Sequence, residues 1–138
     1  MNTERFSFQN KAELFDRVPS MHDCSFTVSY ENNTLALIYD HLEQYHGPSL
    51  DSPWFRNFKT VTIRYHGING LNLTLKFGKK EKVFFDTVSP LENKELIMFR
   101  YAVDSFDTMT LFFTVFIKKK MWGGTIEMSP SDIEYIWE

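Results

Sequence analysis

The sequence predicts a strand-dominated α+β domain: a curved, mainly antiparallel sheet or partly open barrel of about eight strands, with two short helices. Three observations carry this reading. Apolar and polar residues alternate with a period of two in several segments, most cleanly where Leu71, Leu73, Leu75 and Phe77 oppose Asn72, Thr74 and Lys76. Aromatic residues make up 17% of the chain, with 14 Phe and 6 Tyr, and flat rings pack well on a pleated surface. Connections between the alternating segments are short, which favours antiparallel neighbours, and there is no βαβ alternation of the kind a doubly wound fold needs.

Residues 1–9 read as a lead-in carrying Phe6 and Phe8. Asn10 and Glu13 have capping-box spacing, with Asn in place of Ser or Thr. They predict a helix over 11–17 with Leu14, Phe15 and Val18 on its apolar side, ended by Pro19. Residues 24–30 alternate as a strand, Phe26, Val28 and Tyr30 against Ser25, Thr27 and Ser29. Asn32 and Asn33, which tolerate left-handed backbone, then turn the chain into a second strand over 34–40, giving a hairpin.

Residues 41–57 hold Gly47, Pro48 and Pro53 and keep no period. An irregular stretch of that length is often functional or covers a sheet edge. A third strand spans 58–65, a turn 67–70, a fourth strand 71–77, a turn 78–80, and a weaker fifth strand 81–88. The longest apolar stretch, 95–120, reads as two long strands joined at Asp107-Thr108. The second of these has Leu111, Phe113, Val115 and Ile117 on one face and Phe112 and Phe116 on the other, which places it inside a fold rather than on a rim. Trp122-Gly123-Gly124 reads as a tight reversal into 125–128. Ser129 as cap and Pro130 at the first helical position predict a second helix, with Ile133, Ile136 and Trp137 as its apolar face.

At 138 residues the chain fits a single domain spanning 1–138. The net charge of −3 gives no general attraction to nucleic acid or an anionic membrane. One cysteine, Cys24, excludes an internal disulfide, and residues 1–15 carry no apolar leader, so the expected compartment is cytoplasmic.

Four histidines invite a search for chemistry. His41, His46 and Asp51 share the long loop and are ligand types for zinc or iron, yet their spacing fits no tight metal signature. No metal and no cofactor is expected. His22 and Asp23 are adjacent, and in a strand such neighbours point to opposite faces. The pair also evokes HD-type phosphohydrolases, whose helical folds and further helix-borne ligands this chain lacks. Cys24 reads as a small buried hydrophobe. The lysines at 79, 80, 82 and 118–120 read as guards of strand ends.

The candidate binding residues are Tyr45, His46, Trp54 and Phe55 in the long loop, Trp122 at a turn, Arg64 on a polar sheet face, and Arg100. Aromatic side chains outside regular structure often anchor partners. The polar face would carry Ser25, Thr27, Ser29, Thr60, Thr62, Arg64, Asn72, Thr74 and Lys76 if their strands are neighbours. Arg100, between Phe99 and Tyr101, is expected either at a wet face or paired with Asp86 or Asp40.

Segment 21–40, MHDCSFTVSYENNTLALIYD, with the later spacing of Phe58, Val61, Ile63 and Ile68, resembles small uncharacterised bacterial proteins. Some of these are similar to immunity proteins that neutralise polymorphic toxins. The resemblance implies a non-enzymatic, antitoxin-like binder with a protein partner and no catalytic residue. The expected function is therefore a small soluble binding protein of the immunity type, acting without nucleic acid or membrane. The alternative is a small-molecule-binding or hydrolytic domain with a cavity inside the curved sheet, where His41, His46 and Arg100 would be the polar groups.

Overall fold

The computed structural model describes residues 2–18, 21–40 and 59–138. Ten strands and one α-helix follow in chain order: β1 (Asn2–Ser7), α1 (Lys11–Arg17), β2 (Ser25–Glu31), β3 (Thr34–Tyr39), β4 (Val61–His66), β5 (Leu71–Phe77), β6 (Lys80–Phe85), β7 (Leu96–Val103), β8 (Met109–Ile117), β9 (Lys120–Met128) and β10 (Asp132–Trp137). A 3-10 turn, Ser89–Leu91, lies between β6 and β7. All pairings are antiparallel, and the sheet is open, in the order β1-β10-β4-β3-β2-β7-β8-β9-β5-β6.

The sheet divides at its middle. β2 pairs with β3 over five positions but with β7 over only two, Ser25 with Ile97 and Phe26 with Leu96. On one side of this junction lies a first half-sheet, β1-β10-β4-β3-β2. On the other lies a second, β7-β8-β9-β5-β6. Each alternates one buried residue with one more exposed, so each has a core face and an outer face. The core faces share one hydrophobic cluster. Phe26 at the junction meets Tyr39 of the first half at 5.2 Å between ring centres and Phe113 of the second at 6.3 Å. Burial pushes the phenols of Tyr39, Tyr65 and Tyr135 upward in pKa and that of Tyr101 up to about 12.

The helix forms where the capping signal places it. The Asn10 side chain accepts from the Glu13 backbone N–H at 3.3 Å, and Arg17 bonds Glu13 one turn earlier at 3.2 Å. Leu14 is buried. Phe15 stacks on Tyr101, whose hydroxyl donates to the Val18 carbonyl. The hairpin turn at Asn32-Asn33 is left-handed at both residues, as their side chains favour.

Four expectations are corrected. The lead-in is a strand: β1 pairs along its whole length with β10. The second helix does not form. Residues 132–137 are β10, sandwiched between β1 and β4, with Ile133 and Tyr135 in the core. Ladder bonds on both sides outweigh the Ser-Pro start signal. Trp122-Gly123-Gly124 is no reversal but the middle of β9. The chain turns instead at Lys118-Lys119, both left-handed, because Ile117 faces Lys120. Among the described residues there are therefore ten strands and one α-helix rather than about eight and two. The junction of β7 and β8 is a loop over 104–108, in which the Asp104 carboxylate accepts from the backbone of Phe106 and Thr108.

Candidate protein-docking face

The outer face of the second half-sheet follows from its register. One cross-strand row runs Arg100, Phe112, Thr125, Thr74, Val83 from β7 to β6. A second runs Ile97, Thr114, Gly123, Lys76, Glu81, and a third Ala102, Thr110, Glu127, Asn72, Phe85. Beyond them Phe116 faces Met121. Large apolar side chains on this face stay in water: Phe85 is 71% exposed, Phe116 61%, Phe99 53% and Ile97 40%. Isolated apolar residues on a surface are ordinary, whereas a contiguous set marks a contact site.

A β-bulge sharpens the face. Between Met98 and Arg100 the ladder to β8 slips by one residue. Met98 is buried, while the next two residues, Phe99 and Arg100, are both exposed. The extra residue thus presents an aromatic ring and a guanidinium side by side. The imidazole of His22 holds the bulge: its Nδ1–H donates to the Phe99 carbonyl at 2.9 Å, and the two rings meet edge to face at 5.4 Å. His22 and Asp23 lie in a turn before β2, with Asp23 left-handed, so their side chains approach to 3.4 Å instead of diverging.

Arg100 lies at the wet face, the first of the two environments foreseen for it. Its guanidinium sits 4.7 Å from the centre of the Phe112 ring and 6.0 Å from that of Phe99. Among the described residues it makes no ion pair, and the Asp86 carboxylate instead accepts from the Leu71 backbone at 3.0 Å.

Beside this aromatic wall runs an open trough of about 620 Å³. Its floor is made of Thr110, Thr114, Thr125, Thr74 and the backbone of Gly123, and the Lys76–Glu81 pair at 3.5 Å closes its far side. Gly123 is what opens it. A side chain there would stand between Thr114 and Lys76, and the nearest atom a Cβ would meet is the Lys76 carbonyl oxygen at 4.0 Å. Gly124 serves the opposite face: a Cβ there would lie 2.4 Å from the Phe113 ring, which covers the strand backbone in the core.

The first half-sheet has a different outer face. Arg5 pairs with Asp132 at 2.9 Å. Thr34 Oγ1 and His66 Nδ1 share a hydrogen bond of 3.2 Å, His66 Nε2 reaches Glu134 at 3.0 Å, and Arg64 reaches the same carboxylate oxygen at 3.5 Å. The bond from His66, with Arg64 adding to it, holds the Glu134 carboxyl below its ordinary pKa. This is a polar network whose members satisfy one another.

The sequence candidates scatter accordingly. Tyr45, His46, Trp54 and Phe55, with His41 and Asp51, lie outside the described residues. Arg64 belongs to the network on the first half-sheet. Trp122 is not at a turn but buried on β9, 5.5 Å from Phe77 and beneath Lys82. Arg100 alone falls on the docking face. The polar face splits: Thr27, Ser29, Thr62 and Arg64 stay with the first half-sheet, Asn72, Thr74 and Lys76 go to the second, and Ser25 is buried. Among the described residues no group of three or more His, Cys, Asp or Glu side chains is placed to hold a metal ion, and no helix is long and apolar enough to cross a membrane. Comparison with family models, curated proteins and solved structures gives no match.

Proposed function

We propose that this chain is a non-enzymatic binding protein whose docking surface is the outer face of the second half-sheet. The observation that carries the reading is the wall of exposed Phe99, Arg100 and Phe116 with half-buried Phe112, beside the Gly123 trough. Aromatic and arginine side chains next to a recess are the make-up of interface hot spots. The threonine floor adds hydroxyls that can bond a partner's backbone without the desolvation penalty of a charge. An immunity role, in which the client is a toxin, is the form of this reading that the resemblance of residues 21–40 suggests, and the net charge of −3 suits a basic client.

The test is capture from the source cell with wild-type bait and with bait carrying Phe99→Ser and Phe116→Ser. Both residues are solvent-exposed, so the double variant should fold normally. Wild type is expected to retain a protein that the variant loses by tenfold or more. Equal retention by both baits would remove this face from the function. Sequencing the retained protein decides the immunity form, which requires a toxin.

A further inference from the structure

We infer that the core side of the second half-sheet ends in a binding site for a small apolar monocarboxylate, its apolar body seated over Trp122 and its carboxylate held by Lys82, with Lys120 beside it. The site lies on the opposite side of the sheet from the docking face and does not depend on it.

The ladder brings the cations together. β5 turns into β6 through Gly78-Lys79, since Phe77 faces Lys80, and β8 turns into β9 through Lys118-Lys119. β5 pairs with β9 up to Lys76 opposite Gly123, so both turns stand at one end of the sheet. The lysines at 79, 80, 82 and 118–120 therefore gather there, in a chain whose net charge is −3. Three of them lie on the core side by register: Lys80 opposite Phe77, Lys82 opposite Leu75, and Lys120 opposite Ile117. Among the described residues the lysine ion pairs are those of Lys11 with Asp107 and Lys76 with Glu81, so none of the gathered lysines has a carboxylate there. Guarding of a sheet edge accounts for Lys80 and Lys82, because β6 is the last strand. It does not account for Lys120, which opens the interior strand β9.

Beneath these cations the core face is not closed. A recess of about 230 Å³ is lined by Leu75, Lys82, Phe84, Pro90, Ile117 and Trp122. Leu75 and Trp122 are buried, and Phe84, Pro90 and Ile117 are half-buried. Lys82 brings the charge to its wall, with Nζ 5.5 Å from the centre of the Trp122 ring. Lys120 Nζ lies 5.2 Å from the centre of the Phe77 ring, which meets Trp122 at 5.5 Å. The two ammonium groups thus border one aromatic pair at the rim of one apolar recess.

The chemistry of the occupant follows. Apolar walls disfavour a strongly hydrated ion such as phosphate and favour a body without polar atoms. At ~30 Å³ per water-sized group the recess holds about eight non-hydrogen atoms. Ammonium groups at its rim favour one negative charge there, where the neighbouring apolar surface strengthens the attraction. A carboxylate on a short hydrocarbon body meets both demands.

The experiment is a nuclear magnetic resonance titration of the full chain with octanoate, octanol and acetate, read at the Trp122 indole N–H and the amides of Leu75 and Phe84. Octanoate is expected to saturate below about 1 mM, acetate not to bind, and octanol to bind about tenfold more weakly than octanoate or worse. Lys82→Met keeps an apolar stem and removes the charge at an exposed position, so the melting temperature should not change. It is expected to weaken octanoate about tenfold or more and to leave octanol as it was. Lys59→Met, the same exchange at an exposed lysine ahead of β4, should alter neither. Octanoate without a saturable shift overturns the inference. So does octanol binding as tightly as octanoate, octanoate binding indifferent to Lys82→Met, or shifts that fall on Phe99 and Gly123 in place of Trp122. The capture experiment with Phe99→Ser and Phe116→Ser reads the other side of the sheet, so the docking reading stands or falls separately.

Discussion

The two half-sheets are built alike inside and unlike outside. Each turns one alternate set of residues into a common core, Leu35, Leu37, Ile63 and Tyr135 from the first, Leu73, Leu111, Phe113 and Ile126 from the second. On the outer side, the first half-sheet satisfies its polar groups internally, through Arg5–Asp132 and the Thr34–His66–Glu134–Arg64 network. The second leaves Ile97, Phe99, Phe116 and Phe85 in water and holds Arg100 against rings rather than carboxylates. A closed polar network has little left to offer a partner. An exposed apolar face is stabilised by covering it, at roughly 25 cal/mol per Å² of apolar area removed from water. The difference teaches that alternation alone does not locate a site in a β protein: the informative face is the one whose outward residues are not already satisfied.

The sharpest way to break the comparison is between neighbours on β8. Phe113→Ala should destabilise the protein by about 3–5 kcal/mol in urea unfolding, because the ring is in the core and leaves a cavity. Phe112→Ala, one residue away on the outer face, should cost under about 1 kcal/mol. Equal losses would mean that the outer face is structural. The glycines of β9 give a second contrast. Gly124→Ala should cost about 1–3 kcal/mol, since its methyl collides with the Phe113 ring. Gly123→Ala should be neutral or stabilise by about 0.5 kcal/mol, because strand glycine is entropically unfavourable and its space is open.

The turns of the two halves are predicted to differ by a smaller amount. The first half-sheet makes its hairpin with Asn32-Asn33, the second with Lys118-Lys119, and all four residues are left-handed. Lysine gains nothing locally from that conformation, so Lys118→Asn with Lys119→Gly should raise stability by about 1 kcal/mol in thermal unfolding. The smallest effect belongs to the polar network. The Glu134 carboxyl is held low in the fold, so its contribution is present above the ordinary carboxylate pKa and is lost as pH falls through the lowered value. Glu134→Gln should cost under about 1 kcal/mol near neutrality, and less as the pH falls, in pH-dependent denaturation curves.

Much of the fold was legible because period-two alternation survives wherever one face is buried and the other is wet. β5 announces itself for that reason; β8 shows instead as a strand apolar on both faces, and the structure leaves the outer one, with Phe116, partly in water. β10 was obscured because Ile133, Ile136 and Trp137 fit a helical face as well as a strand, and six residues are too few to separate the two periods. β1 was obscured because Thr3, Arg5 and Ser7 face Asn2, Glu4 and Phe6, a nearly all-polar edge that only its partner β10 defines. The glycines of β9 imitated a turn, whereas Gly124 answers to a ring on another strand and Gly123 to a gap. Arg100 stood out in the sequence as a cation among aromatics. What the sequence did not disclose was the bulge that exposes Phe99 beside it, since a one-residue slip in an otherwise apolar strand leaves no gap in the pattern.

The central claim is that contact is made by the outer face of the second half-sheet and not by that of the first. Nuclear magnetic resonance shift mapping tests it most directly, following backbone amides as a captured partner is added. The largest changes are expected on Ile97, Phe99, Arg100, Phe112, Gly123 and Thr125. Changes concentrated instead on Thr34, Thr62, Arg64 and Glu134, with the Phe99 and Gly123 signals unmoved, would contradict it.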